Sequence, residues 1–487
     1  MNYDIRELID LKDCEDVTVT EVKVDDVKRI KTVYVEKPYS PMFCPFCQSR
    51  MYSKGFYVRH IRHPVLSDGY QLELEVKRRK FRCTDPECNA YINEEFSFAR
   101  SGKRASDLTP VLILNDLKDL NVTCAYVARH RNVSDTYVHQ IVMTCLQFDR
   151  LVLPEMLCID EVYLNIHRDA RYCVILRDFL SGDLIDILPN RYSETFDDYF
   201  LHIPRNERRN VKFIITDMYE PYLQMNRKYF SNAIPVVDSF HVIQWINNRV
   251  NLYINEVKKK YQKRDDEKRK QKNHDENKDF IRRKDSKEVY LLKRHRWVLL
   301  MNEDNIEYDP FARRYNQLGG YYSTRNIEEM FLKLDENFPI IRKLKQKYIR
   351  FNKECLGRPE EAEKQFDELI EEYSLSGYKM FQDFSAVLKK RRKEILASFE
   401  KIDAIPYEDH VEELYRRMSA GPMEGFNRKP KDMKRNGRGF TSFEFVRNRI
   451  LWAERKDAPI LGSPIPVKEI KERYRTKRKR GPYRKHQ

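Results

Sequence analysis

The sequence predicts a multidomain chain of the α+β and α/β classes. A small cysteine-rich β domain leads, a helical pair follows, and a mixed sheet is interrupted by a long helical insertion. Three observations predict this. Two tight cysteine pairs, Cys44/Cys47 and Cys83/Cys88, sit among segments of β pattern. Two apolar runs, Leu157–Asp160 and Phe213–Asp217, each end on an aspartate, as a buried strand does when it delivers a carboxylate to a sheet edge. A long charged stretch of helical pattern separates the second run from a third acid, Glu424.

Composition sets the frame. The 487 residues suffice for two to four domains. Lys plus Arg number 92 against 76 Asp plus Glu, a formal net charge of +16 that argues for a polyanionic partner, DNA or RNA. No apolar run reaches the roughly 18 residues of a membrane span. The mixed-charge start, Met1–Arg6, lacks the apolar centre of a signal peptide. The expectation is a cytoplasmic protein whose ten cysteines form no disulfide framework.

In the first domain, residues 1–104, Val17–Thr20 and Thr32–Val35 read as strands, and Tyr70–Val76 alternates apolar and polar residues. Cysteine pairs on turns between strands describe a zinc ribbon, with Cys44, Cys47, Cys83 and Cys88 closing a tetrahedral site around structural Zn²⁺. So few apolar residues surround them that the ion's binding energy would be folding energy.

Residues 105–150 read as a helix-turn-helix. Thr123–His130 is one helix and Ser134 caps the next, with Ala128, Val133, Val138 and Ile141 at core positions. Arg129, Thr136, Tyr137, His139 and Gln140 fall on or near the face that meets DNA.

From Leu151 the pattern turns to strands. Met156–Asn165, Tyr172–Arg177 and Leu184–Leu188 form a meander, and Ser193 caps a helix through about His202. Val211–Asp217, a helix over Tyr219–Phe230, and Ile234–Asp238 complete the order βββαβαβ. That order describes a ribonuclease H-like domain, in which the first and fourth strands are neighbours, so that Asp160 and Asp217 would meet. Strand alternation turns Glu161 to the face opposite Asp160. Glu220, Glu412 and Glu413 are the other acids in competition. The catalytic core spans 151–247 and resumes at 416–455, with a helical insertion at 248–415 between the two parts. Lys258–Arg296 in the insertion is either a solvated helix or a contact to DNA backbone. Lys431, Lys434 and Arg435 follow Glu424 as candidate DNA contacts. The tail, 456–487, carries ten Lys or Arg between Lys468 and Lys485.

Three carboxylates on a strongly basic chain point to divalent-metal-assisted phosphoryl transfer on nucleic acid. Two Mg²⁺ (or Mn²⁺) ions clamped by carboxylates can stabilise both the attacking and the leaving oxygen of an in-line displacement. Tyrosine-recombinase chemistry through Tyr219 or Tyr222 fits less well, because it needs an Arg and His cluster around a Tyr near the C-terminus.

Taken in order, the cysteine ribbon, the helix-turn-helix, Ile159-Asp160-Glu161, Thr216-Asp217-Met218 with Tyr222, Val237–Val242 and Glu424-Gly425-x-Asn427 resemble the ISL-three family of bacterial insertion-sequence transposases. The resemblance implies a DDE recombinase with Asp160, Asp217 and Glu424 as its triad. Asp238 and His241 match an Asp-x-x-His motif; His241 either contacts phosphate, orients Asp238, or belongs to a helix-capping turn. The segment Ser419–Met423 departs from the family, which has an Asn near there. The implied partners are double-stranded DNA, as terminal inverted repeats and target, and further copies of the chain assembled on it, at the bacterial nucleoid. Three rivals stand beside this reading. They are a ribonuclease H-like nuclease or resolvase without strand transfer, a non-catalytic DNA-binding regulator derived from a transposase, and a zinc-dependent RNA-binding enzyme.

Overall fold

The computed structural model describes residues 5–9, 11, 14–64, 69–99, 102–276, 285–400, 402 and 417–456. The expected basic tail, apart from Lys456, and the competing acids Glu412 and Glu413 lie outside them.

After a helical turn, α1 (Ile5–Leu8), six strands build the first sheet: β1 (Thr18–Asp25), β2 (Ile30–Glu36), β3 (Met42–Phe43), β4 (Arg50–His63), β5 (Gln71–Cys83) and β6 (Tyr91–Asn93). Their order is β1-β2-β5-β4-β3, with β6 also on β5. Inward residues Val33, Val35, Ile61, Leu72, Leu74 and Val76 form a small core. The long strand β4 was not legible in the sequence. Its run Arg50–His63 is rich in exposed basic and aromatic residues, and a bulge between Ser53 and Phe56 breaks its alternation.

Three helices follow: α2 (Leu108–Asp116), α3 (Cys124–His130) and α4 (Asp135–Cys145). The Thr123 and Ser134 hydroxyls accept the Tyr126 and Tyr137 N–H groups, both at 3.2 Å, and so start α3 and α4. Asn132 makes the turn between them at φ +52°. Val127, Ala128, Val138, Ile141 and Val142 are buried together. Arg131 holds Asp116 of α2 through two bonds of 2.7 Å.

The second sheet consists of β7 (Met156–Tyr163), β8 (Tyr172–Asp178), β9 (Leu184–Leu188), β10 (Phe213–Thr216) and β11 (Ile234–Val237). Its order is β11-β10-β7-β8-β9. The meander β7–β9 is antiparallel, while β10 runs parallel to both β7 and β11. Helices α5 (Ser193–Phe200), α6 (Arg205–Arg209), α7 (Glu220–Leu223) and α8 (Met225–Lys228) join the later strands. Two details differ from expectation. Ser193 begins α5 rather than capping it; Tyr192 holds the cap position. The helix expected over Tyr219–Phe230 is two short ones, broken at Gln224.

A 38-residue helix, α9 (Ser239–Glu276), follows β11 after the single residue Asp238, so position 248, the expected start of the insertion, lies inside it. The helices α10 (Lys287–Arg294), α11 (Trp297–Leu300), α12 (Thr324–Leu332), α13 (Phe338–Glu354), α14 (Pro359–Leu375), α15 (Lys379–Lys390) and α16 (Arg392–Leu396) pack with its first half around one aromatic-rich core. A hairpin of β12 (Arg313–Tyr315) and β13 (Gly320–Tyr322) interrupts them. The chain then returns to the second sheet through α17 (Gly421–Asn436) and α18 (Phe443–Glu454).

Helix α18 joins the helical triplet to that sheet. Buried Arg447 donates to Asp186 of β9 at 2.7 Å and to the Phe148 carbonyl at 3.1 Å. Asn448 reaches the Leu146 carbonyl, Arg449 the Asp119 and Val122 carbonyls, and Trp452 the Leu114 carbonyl. Polar groups buried this deeply are tolerated because they satisfy carbonyls that end helices and loops.

Candidate active site and metal centre

The four cysteines converge first. Their sulfurs all lie within 4.8 Å of one another, with Cys44–Cys88 at 3.7 Å and Cys47–Cys83 at 3.4 Å. A tetrahedron of Zn–S bonds of about 2.3 Å has an edge of about 3.8 Å, so the sulfurs fit Zn²⁺. Each pair rides on a tight turn: the Gln48 N–H donates to the Cys44 carbonyl, and Asn89 N–H to the Asp85 carbonyl. Gln48 and Asn89, each just after the second cysteine of its pair, take φ +60° and +43°. Hydrogen bonding to Ser49 draws the Cys47 thiol down to about 7, while the bond with Cys47 pushes Cys88 up to about 12. Such a cluster releases protons as it binds a metal ion. The four residues form a structural zinc site of the ribbon type.

Strand geometry explains the acids. Asp160 lies mid-strand in β7, with Cys158 and Val162 on its face, and Asp217 follows directly after β10. Ile215, the last residue of β10 paired with β7, lies opposite Cys158 in parallel register, so Asp217, two residues on, follows the strand out beside Asp160. Burial pushes the Asp160 carboxyl up to about 6, and the charge of Asp217 adds to the rise. The Glu161 N–H, His241 and Asn427 oppose it. The Asn427 amide donates to Asp160 Oδ2 at 2.7 Å, and the Glu161 N–H to Oδ1 at 2.7 Å. Asp217 Oδ1 accepts the Tyr219 N–H at 2.9 Å.

Glu424 stands exposed in the first turn of α17, where an acid suits the helix dipole, one turn before Asn427. Arg177 of β8 anchors this end of α17 by donating to the Pro422 carbonyl at 3.2 Å and lying over the Phe426 ring at 4.6 Å. Asp217, His241 and Asn427 thus all act on Asp160, while Glu424 lies one turn before Asn427 on α17. Among the described residues, only the cysteines bring three or more ligand atoms within 4.8 Å.

Asp238 is buried just past β11 and accepts the Phe240 N–H at 3.1 Å; its carbonyl accepts the His241 N–H, also at 3.1 Å. The acids beside the first two positions are committed elsewhere. Glu161 accepts two bonds of 3.0 Å from Arg191 and one of 2.8 Å from the Tyr222 hydroxyl, on the opposite face of the sheet. Glu220 pairs with Arg391 and Gln224, which holds its carboxyl down at about 2. Sequence reasoning matched Asn427 to a motif without giving it a partner, and missed Arg191 altogether.

Arg129, Thr136, His139 and Gln140 are exposed on α3 and α4, and Tyr137 is half-buried. His139 stacks on Phe445 of α18 at 4.3 Å. Arg59, His60, Arg62 and Arg104 line a groove of about 700 Å³ beside Ser134 and Tyr137. Lys431 and Arg435 are exposed, Arg435 paired with Asp432, and Lys434 lies over the Tyr163 ring. Among the described residues, no helix is long and apolar enough to cross a membrane.

Comparison with known proteins follows the same division. Residues 40–88 match a model described as the zinc-finger of transposase IS204/IS1001/IS1096/IS1165. The chain is 23% identical over 297 residues to a transposase for insertion sequence element IS1001 from Bordetella parapertussis, covering 59% of this chain and 66% of that relative, just under two thirds of its length. A cryo-EM structure of a simian T-cell lymphotropic virus intasome with the PP2A regulatory subunit B56 gamma aligns with 42% of this chain and 71% of that chain at 13% identity. Its TM-score is 0.14, too low to carry an argument. The ISL3 (ISL-three) model, described as Transposase, matches residues 157–450, from the strand of Asp160 to the closing helix. With more than half of its length matched by that model, the chain belongs to the ISL3 family of transposases.

Proposed function

We propose that the chain is a DDE transposase that binds the terminal inverted repeats of an insertion sequence, cuts the DNA strand at their ends and joins it to target DNA. The observation that carries this is Asp160 on β7 and Asp217 just past the end of the neighbouring parallel strand β10, inside the region matched by the family model. The sheet order, with three antiparallel strands and two parallel ones, supports a ribonuclease H-like core around them.

In this reading Asp160 and Asp217 bind the metal from the sheet, and Glu424 completes the set from α17. Asn427 fixes the direction of the Asp160 carboxylate. His241, near enough to act on Asp160, holds or orients a phosphate. Two Mg²⁺ (or Mn²⁺) ions would supply the Lewis acidity that favours an attacking oxygen and a leaving one. The residues suit them: they are oxygen donors, and burial together with the like charge of Asp217 raises the Asp160 carboxyl to about 6, a cost that bound cations would relieve.

Helices α3 and α4 have the caps, turn and buried apolar set of a helix-turn-helix, which supports major-groove reading by Thr136, Tyr137 and Gln140, with Arg129 at the backbone. Lys431, Lys434 and Arg435 extend the basic surface along α17. Joining two element ends calls for more than one copy of the chain on DNA, in the cytoplasm at the nucleoid.

The test is cleavage and strand transfer on the DNA flanking this gene, with and without Mg²⁺. Asp160→Asn, Asp217→Asn and Glu424→Gln should each abolish cutting and spare binding. Cutting by Asp160→Asn would defeat the assignment, and cutting without joining would favour a nuclease or resolvase.

A further inference from the structure

Five exposed or half-exposed side chains stand in a line past the strand ends of the acids, with Tyr163 on the sheet face of Glu161, opposite Asp160. Lys434 of α17 lies over the Tyr163 ring at 5.3 Å. Tyr163 meets Tyr172, its partner across β7 and β8, with ring centroids 4.9 Å apart. Arg191 lies over Tyr172 and also over Tyr219, at 5.0 Å each. The line therefore runs from the helix of Glu424 to the loop of Asp217, whose carboxylate holds the Tyr219 N–H. The exposures are 47% for Tyr163, 43% for Tyr172 and 37% for Tyr219, so three large rings stay open to solvent along one row.

Arg191 is built into place rather than dangling. One of its nitrogens, Nη1, is spent on Glu161, the residue after Asp160, and Glu161 is fixed from behind by Tyr222. Past Tyr219 the row opens into a groove of about 720 Å³ that Arg227 and Lys228 also line.

From this row we infer a binding site for unpaired nucleotides next to the scissile phosphate. The inference rests on the transposase reading above and adds the state of the DNA. Binding a duplex by its phosphates needs only cations. Aromatic faces gain from DNA only when bases leave the pair and stack on them. Cation–ring contacts also run together elsewhere on this surface, as Lys77, Phe56, Arg79 and Tyr39 do on the first sheet. This row differs in its place: it ends on the loop of Asp217 and begins three residues past Asp160 on the same strand, at the strand end and on the sheet face of Glu161. At about 3.3 Å per residue that is about 10 Å, the length of about three stacked bases. The platform would hold the bases that flank the cut open while the phosphate between them sits at the carboxylates.

The experiment uses the full chain and a forked duplex of arbitrary sequence whose unpaired arm carries 5-iodouracil, with irradiation and mass-spectrometric mapping. Arbitrary sequence suffices because backbone grip is independent of sequence. Crosslinks are expected at Tyr163, Tyr172 or Tyr219. Tyr172→Ala should weaken binding of the fork about ten-fold, leave a fully paired duplex unchanged, and be restored by Tyr172→Phe, which keeps the ring. Crosslinks only elsewhere, or equal losses on fork and duplex, overturn the platform. If the unaltered chain fails to cut flanking DNA in Mg²⁺ while the crosslinks appear, the transposase reading fails and the platform stands.

Discussion

Asn427 of α17 donates its amide to Asp160 of β7 at 2.7 Å, joining positions 267 residues apart. That bond ties the helix carrying Glu424 to the strand carrying Asp160, while the other amide atom of Asn427, Oδ1, is buried without a partner. Asn427→Ala should lower Mg²⁺-dependent cleavage about 10- to 100-fold, as loss of an outer partner of a metal-binding carboxylate does. The melting temperature with chelator present should change little. Cleavage at the unaltered rate would show that Asp160 needs no such support.

Asp160 itself sets a pH dependence. An ordinary aspartate titrates near 3.9, whereas this one stands at about 6. Between those values the folded chain keeps a proton that the unfolded chain has lost, so stability falls as pH rises through the window. Asp160→Asn removes the penalty. In chelator at pH 8 the variant should be more stable by on the order of 2–3 kcal/mol. The gain should vanish below about pH 4. A variant less stable than the parent at pH 8 would contradict the burial argument.

The zinc site can be weighed directly. Serine at both Cys44 and Cys83 should release the metal and expose residues 40–100 to protease, because the four-cysteine cluster has only Met51 and Phe81 as buried apolar neighbours. The lost binding energy is on the order of 10 kcal/mol. The second sheet has its own core and should survive, which the protease-resistant fragment would reveal. Full retention of zinc in that double variant would exclude the site.

Arg447 and Asp186 form an ion pair of 2.7 Å with both side chains only 5% exposed. Arg447→Ala leaves the buried Asp186 carboxylate without its cation, with only the Tyr199 hydroxyl and the Ile187 N–H still donating to it, and should cost about 3–5 kcal/mol. Adding Asp186→Ala to it should recover part of that loss, because no charge is then stranded. Denaturant melts of the single and double variants decide it.

On α3 and α4, substitution separates positioning from reading. Gln140→Ala should relax preference for one sequence, whereas Arg129→Ala should weaken all DNA alike and flatten the salt dependence. Titrations at several salt concentrations distinguish them, and no change from either would remove α4 from the DNA interface.

Much of this was legible in the chain alone because its signals are local. The cysteine spacings, the apolar runs ending on Asp160 and Asp217, and the cap at Ser134 each need only neighbouring residues, and strand alternation alone assigned Glu161 and Asp160 to opposite faces. What folding decided are the long-range partners. No local period foretells that Asn427 meets Asp160, that Arg447 crosses to Asp186, or that Arg191 is held by Glu161 beside two tyrosines. The strand β4 was hidden because its outward face is charged and a bulge shifts its register. The expected boundary at 248 falls inside the helix α9, whose period runs across it and so gives no local sign of where its surroundings change. Propensity and patterning act over a few residues, whereas the choice of partner depends on which faces are packed together once the chain has closed on itself.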